Sequence, residues 1–167
     1  MTQAAVLTAL GQPLELRDDV ALEAPHPGEV RVKVLATGVC HSDLSMRDGV
    51  LPVTLPAVLG HEGAGVVTEV GPHVTSVARG DHVVISWVPQ CGTCFHCSRG
   101  QAHLCQEADV VLVNGGLLDG TPRFRWRDGP LYQMCGCGTF ATETVVLATA
   151  AVPVPNDLDP AVAALLV

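Results

Sequence analysis

Four cysteines, Cys91, Cys94, Cys97 and Cys105, stand in the run CGTCFHCSRGQAHLC with the spacing C-x2-C-x2-C-x7-C. Two-residue gaps let a loop fold back so that thiolates converge tetrahedrally on one ion, with Gly92 and Gly100 supplying tight backbone. That pattern points to a structural zinc, whose closed shell orders the loop and leaves no position for chemistry. An iron–sulfur cluster takes the same four thiolates, and free or disulfide-paired thiols are the remaining alternative. His96 and His103 lie inside the run as bystanders, because four sulfurs complete the shell.

A second set is dispersed: GVCHSD at 38–43 and GHEGAG at 60–65. A catalytic zinc takes three protein ligands and keeps one position open. Cys40 and His61 supply two plausible ligands of that kind, with Glu62 adjacent. Alone, each piece also reads as a core cysteine or a His-Glu turn. Gly136, Gly138 and Ala141 match G-x-G-x-x-A, but the residues that follow, TETVVLAT, are strand-like. A dinucleotide fingerprint needs a helix there, so that its N-terminus meets the pyrophosphate. Cys135 and Cys137 are two apart, and strand alternation would place both on one buried face.

The elements that must position these residues are mostly strands. QAAVLTAL and PLELRDDVAL read as two strands around a GQP turn. In EVRVKVLATGV, Val30, Val32 and Val34 alternate with Arg31 and Lys33, the period of a strand with one solvated face. GAGVVTEVG and GDHVVISWV repeat the pattern. SDLSMRDG predicts a short helix capped by Ser42, and DLDPAVAALLV opens another with Asp159 as cap and Pro160 in the first turn. That last pattern stops in mid-period, which suggests a chain cut short. NGGLLDGTPRFRWRDG, 114–129, has no sustained period and reads as a loop excursion, its Arg123, Arg125 and Arg127 forming a solvated face.

The 167 residues favour one domain, 48% hydrophobic but only 4% aromatic, so the core is built from Val, Leu and Ala. Nine basic residues against 17 acidic ones give a formal charge of −8. This excludes a phosphate-backbone footprint, and with it a zinc-ribbon nucleic-acid binder, and disfavours anionic membranes. No apolar stretch approaches the ~20 residues of a membrane span. The N-terminus lacks the basic start of a secretory signal. Seven cysteines without a leader point to metal or thiol chemistry in a reducing cytoplasm.

Taken together, GVCHSD, GHEGAGVVTEVGPHV, GDHVV, the Cys91–Cys105 run, DGTPRF and GTFATETVV resemble the N-terminal catalytic domain of zinc-dependent medium-chain alcohol dehydrogenases. The resemblance covers nearly the whole chain. It implies a GroES-like, partly open antiparallel β-barrel over residues 1–167, with a zinc lobe at about 88–110, a few short helices and no dinucleotide-binding domain. Cys40 and His61 would then be catalytic-zinc ligands, Glu62 an acidic group beside the metal, and Asp43 the partner orienting His61. Ser42 would take the first step of proton removal, His41 would face the cofactor pyrophosphate, and Leu51 and Trp87 would line the substrate pocket. The implied reaction is NAD- or NADP-linked oxidation of primary alcohols, or reduction of aldehydes, with thiol adducts of formaldehyde also open. The whole enzyme would be a homo-oligomer.

Two departures bear on that expectation. Ser45 occupies the place where the family often ends its proton relay in a histidine. The family's third zinc ligand is a cysteine just beyond an AALL segment, and this chain ends at Val167. Turnover by the 167 residues alone is therefore not expected. The alternative is a non-catalytic zinc-binding module, whose apolar AVAALLV end would seek a partner.

Overall fold

The computed structural model describes residues 1–167. The chain runs β1 (Thr2–Leu7), β2 (Glu15–Leu22), β3 (Glu29–Thr37), α1 (His41–Arg47), β4 (Ala57–Val58), β5 (Gly63–Val70) and β6 (His82–Ile85). It continues through α2 (Ala108–Leu112), β7 (Phe124–Trp126), β8 (Gly129–Gln133), β9 (Glu143–Leu147), β10 (Ala151–Pro153) and α3 (Pro160–Ala163). Strands β1-β2-β7-β8-β4 close a barrel, and β10-β6-β5-β3-β9 form a five-stranded sheet. The mostly β, barrel-based fold with short helices expected from the sequence is the fold found. One pair is parallel, β4 with β8. They lie far apart in sequence, so no hairpin dictates their direction.

Alternation explains the sheet. Val30 and Val32 of β3 are fully buried, and their cluster with Val67, Val83, Ile85 and Val146 forms the largest core. Each such side chain contributes about 1.5–3 kcal/mol on burial. A second cluster, Val6, Val20, Val58, Phe124 and Leu131, fills the barrel. The pairing of β3 with β5 is long but irregular, with register shifts between Arg31 and Val32 and between Val34 and Ala36. A Cβ on Gly65 would run into the Lys33 carbonyl, so only glycine allows that close approach.

Three local expectations are corrected. The first helix starts at His41 with Cys40 as N-cap, not Ser42, because Asp43 reaches back to accept the Cys40 N–H at 2.8 Å. The 114–129 excursion carries β7, which joins the barrel, and Arg123 is buried rather than solvated. Cys135 and Cys137 share no strand face. They lie at a 3-10 turn over Met134–Gly136, where Cys135 has a left-handed φ of 52° and only Cys137 is buried. The last predicted helix begins as read: Asp159 Oδ1 accepts the Ala161 N–H at 2.8 Å, and Pro160 opens the first turn. No helix is long and apolar enough to cross a membrane.

Candidate metal centres

The four-cysteine run lies between β6 and α2 and contains no strand. Its backbone turns through 3-10 segments at Cys97–Arg99 and Ala102–Leu104, with Gly100 at a φ of 74°. The four sulfurs lie within 4.8 Å of one another. Backbone N–H groups aim at them: Cys94 N is 3.3 Å from Cys91 Sγ, Cys97 N 3.5 Å from Cys94 Sγ, and Cys91 N 3.4 Å from Cys105 Sγ. Sulfurs 2.3 Å from one tetrahedral ion would be about 3.8 Å apart, and Cys91 Sγ to Cys97 Sγ is 4.0 Å. The donor set is of the type and spacing that a zinc takes. N–H groups of Thr93 and Cys94 pull the Cys91 thiol down to about 6, whereas burial pushes Cys97 up to about 11. All seven cysteines are unpaired.

The dispersed set is assembled by strand pairing. In the β3–β5 ladder Thr37 sits opposite Gly63. The segment leaving β3 therefore runs beside the one entering β5, and Cys40, His61 and Glu62 bring donor atoms within 4.8 Å of one another. Asp43 ties the two segments together. Its buried carboxylate accepts the Cys40 N–H with Oδ2 at 2.8 Å and the Gly60 N–H with Oδ1 at 2.9 Å. Oδ1 also lies 3.6 Å from His61 Nδ1, a nitrogen that is buried and has no hydrogen-bond partner. Asp43 is the first cause that raises the His61 pKa, against desolvation. With Nδ1 turned toward the carboxylate, Nε2 is the ring nitrogen left for a metal. The backbone N–H of Ser42, then its hydroxyl 3.6 Å from the sulfur, lowers the Cys40 thiol pKa. Gly38 makes room for Glu62: its N–H donates to the Glu62 carbonyl at 2.8 Å, and a Cβ there would collide with Oε2.

A cavity of about 420 Å³ opens beside these donors. Ser42, Leu51 and Trp87 line it, as expected from the sequence. Met46, Pro52, Leu112, Val113, Met134 and Cys135 line it too, and sequence reasoning did not find them. They come from α1, the loop before β4, α2 with the residue after it, and the turn after β8, so no local pattern marks them. Burial, then the Asp43 charge, pushes the Cys135 thiol up to about 11, leaving it neutral. His41 stands outside, exposed at the start of α1, with Nδ1 3.3 Å from Ser45 Oγ. The glycines at 136 and 138 lead into β9 rather than a helix, which rules out a dinucleotide fingerprint there.

Residues 26–156 match the family model of the alcohol dehydrogenase GroES-like domain. The chain belongs to this family. Its alcohol dehydrogenase relatives include the NDMA-dependent alcohol dehydrogenase of Amycolatopsis methanolica, 46% identical over 146 residues, which cover 87% of this chain and 38% of that protein. The S-(hydroxymethyl)glutathione dehydrogenase of Paracoccus denitrificans is 45% identical over 158 residues, 93% of this chain and 42% of that one. Among solved structures, the benzyl alcohol dehydrogenase of Acinetobacter calcoaceticus superposes with a TM-score of 0.89 at 36% identity, covering 99% of this chain and 44% of its own. The chain thus spans about two-fifths of the length of the curated alcohol dehydrogenases it matches.

Proposed function

We propose that this chain is the catalytic-domain portion of a zinc-dependent, NAD- or NADP-linked dehydrogenase of primary alcohols or aldehydes, in the cytoplasm. The observation that carries the reading is the convergence of Cys40, His61 and Glu62 at the wall of an otherwise apolar cavity. Cys40 and His61 would hold a zinc there, with Glu62 beside it, and Cys91, Cys94, Cys97 and Cys105 a second, structural one. Bound by Cys40 and His61, a zinc would supply Lewis acidity toward an alcohol oxygen, and a nicotinamide would supply hydride-accepting chemistry. The chain's own part is positioning. Asp43 orients His61. Ser42 Oγ, on the cavity wall, receives the alcohol proton. His41 offers its exposed imidazole to cofactor phosphates. Leu51 and Trp87 present apolar surface along the rim for the substrate's carbon end. The complete dehydrogenase would assemble as a homo-oligomer, with no role in nucleic-acid or membrane binding.

Zinc content tests the reading. Chain reconstituted with excess zinc and desalted should carry about two ions, and mild chelation should remove only the one at Cys40 and His61, because four thiolates hold the other. A Cys40→Ala variant should carry one ion. Two ions retained in Cys40→Ala would remove the catalytic site from the proposal. The 167-residue chain mixed with NAD and an alcohol should show no enzyme-like rate, because it has no dinucleotide fingerprint. Steady NADH production would refute that expectation and with it the division of labour proposed.

A further inference from the structure

We infer that the cavity beside Cys40 and His61 selects an uncharged primary alcohol carrying an aromatic ring, and rejects thiol adducts that carry carboxylates; this rests on the dehydrogenase reading above. The first ground is charge. The twelve residues lining the cavity include no Lys and no Arg, and the one carboxylate among them is Glu62. Helix α2, which supplies Leu112, also bears the exposed Asp109 and follows the exposed Glu107. An adduct of a carboxylated thiol such as glutathione would have to desolvate its anions here with no Lys or Arg to pair them, while the zinc is taken by the reacting oxygen, and with Glu62 adding like charge.

The second ground is the chemistry of the wall. Met46, Met134 and Cys135, three sulfur-bearing side chains, line the cavity. Sulfur packs well at the edge of an aromatic ring. Trp87 is 42% exposed and Leu51 40% exposed, so the rim keeps a planar apolar surface free for a second ring. At about 420 Å³ the cavity has room for such a ring. The hydroxyl end then falls on the polar side, where Ser42, Cys40 and His61 lie.

Fluorescence of Trp87 in the zinc-loaded chain tests this, with Trp126, buried in the barrel core, as a constant background. Benzyl alcohol and S-methylglutathione are titrated separately, with zinc content measured on the same samples. Benzyl alcohol should give a saturable change, and S-methylglutathione should bind at least ~10-fold more weakly. Leu112→Arg, checked for an intact four-cysteine zinc, should weaken benzyl alcohol and bring in salt-sensitive S-methylglutathione binding. Tighter binding of S-methylglutathione by the unaltered chain, or binding of neither ligand with both zincs present, overturns the inference. Absence of the zinc at Cys40 and His61 overturns the dehydrogenase reading instead, so the two failures are distinguishable.

Discussion

Replacing Arg123 with Ala should lower the unfolding free energy of the zinc-loaded chain by about 3–5 kcal/mol, the cost of breaking a buried ion pair from one side. Arg123 is 1% exposed and Glu29 is 4% exposed. The guanidinium grips that carboxylate with two bonds, Nη2 to Oε1 at 2.6 Å and Nε to Oε2 at 2.8 Å. It also donates to Asp119 Oδ2 at 2.7 Å, and to the Thr121 carbonyl at 3.0 Å. Burial works against the guanidinium charge, but Glu29 and Asp119 outweigh it and raise the Arg123 pKa. Without Arg123, a carboxylate at the start of β3 is left inside the protein with only the His26 N–H, 3.0 Å away, as donor. Urea unfolding measures the loss. Arg125 serves as the control, since its pair with Glu23 is solvated, and Arg125→Ala should cost less than ~1 kcal/mol. Adding Glu29→Gln to Arg123→Met should recover much of the loss, because the uncompensated charge goes with it. A loss in Arg123→Ala no greater than in the control would show that Glu29 finds water or another partner.

The second large effect is expected at Asp43. Asp43→Ala removes the acceptor for two backbone N–H groups, at Cys40 and Gly60, and the latter bond is buried. Each donor left unsatisfied costs about 1–3 kcal/mol. The same change frees the His61 ring, whose Nδ1 has no other nearby acceptor. Loss of such an orienting carboxylate typically costs 10–100-fold in metal affinity. Chelator competition should therefore show weaker zinc at Cys40 and His61, with the four-cysteine zinc unchanged as an internal reference. Asp43→Asn keeps one acceptor oxygen and should fall between. Equal zinc affinity in Asp43→Ala and the parent chain would mean that Cys40 and His61 are held in place by packing alone.

Some of this was legible from spacing. The alternation of Val30, Val32 and Val34 is a local property of the backbone, because period two follows from strand geometry whatever the strand pairs with. The four cysteines likewise carry their own signal, since short loops close on an ion without help from the rest of the chain. Asp159 and Pro160 marked a helix start for the same reason: a cap acts within one turn. Where the reading failed, a distant partner had decided. Arg123, Arg125 and Arg127 alternate alike, and nothing near them distinguishes the buried one. Its place is set by Glu29, ninety-four positions away. Ser42 looked like a helix cap until Asp43 bonded back to Cys40 and moved the start forward.

Residue types and spacing by themselves therefore determined the β-rich fold class, the alternating faces of β3 and the four-cysteine set, whereas the pairing of Cys40 with His61 was carried by the resemblance of whole motifs to a family. Tertiary structure alone decided that Cys40 and His61 meet, because only the β3–β5 pairing brings their segments side by side. It also decided that two methionines and Cys135 line the same cavity. The physical reason is range. Backbone periodicity and loop closure act over a few residues, whereas charge burial and cavity shape depend on groups that become neighbours only when the sheet has formed.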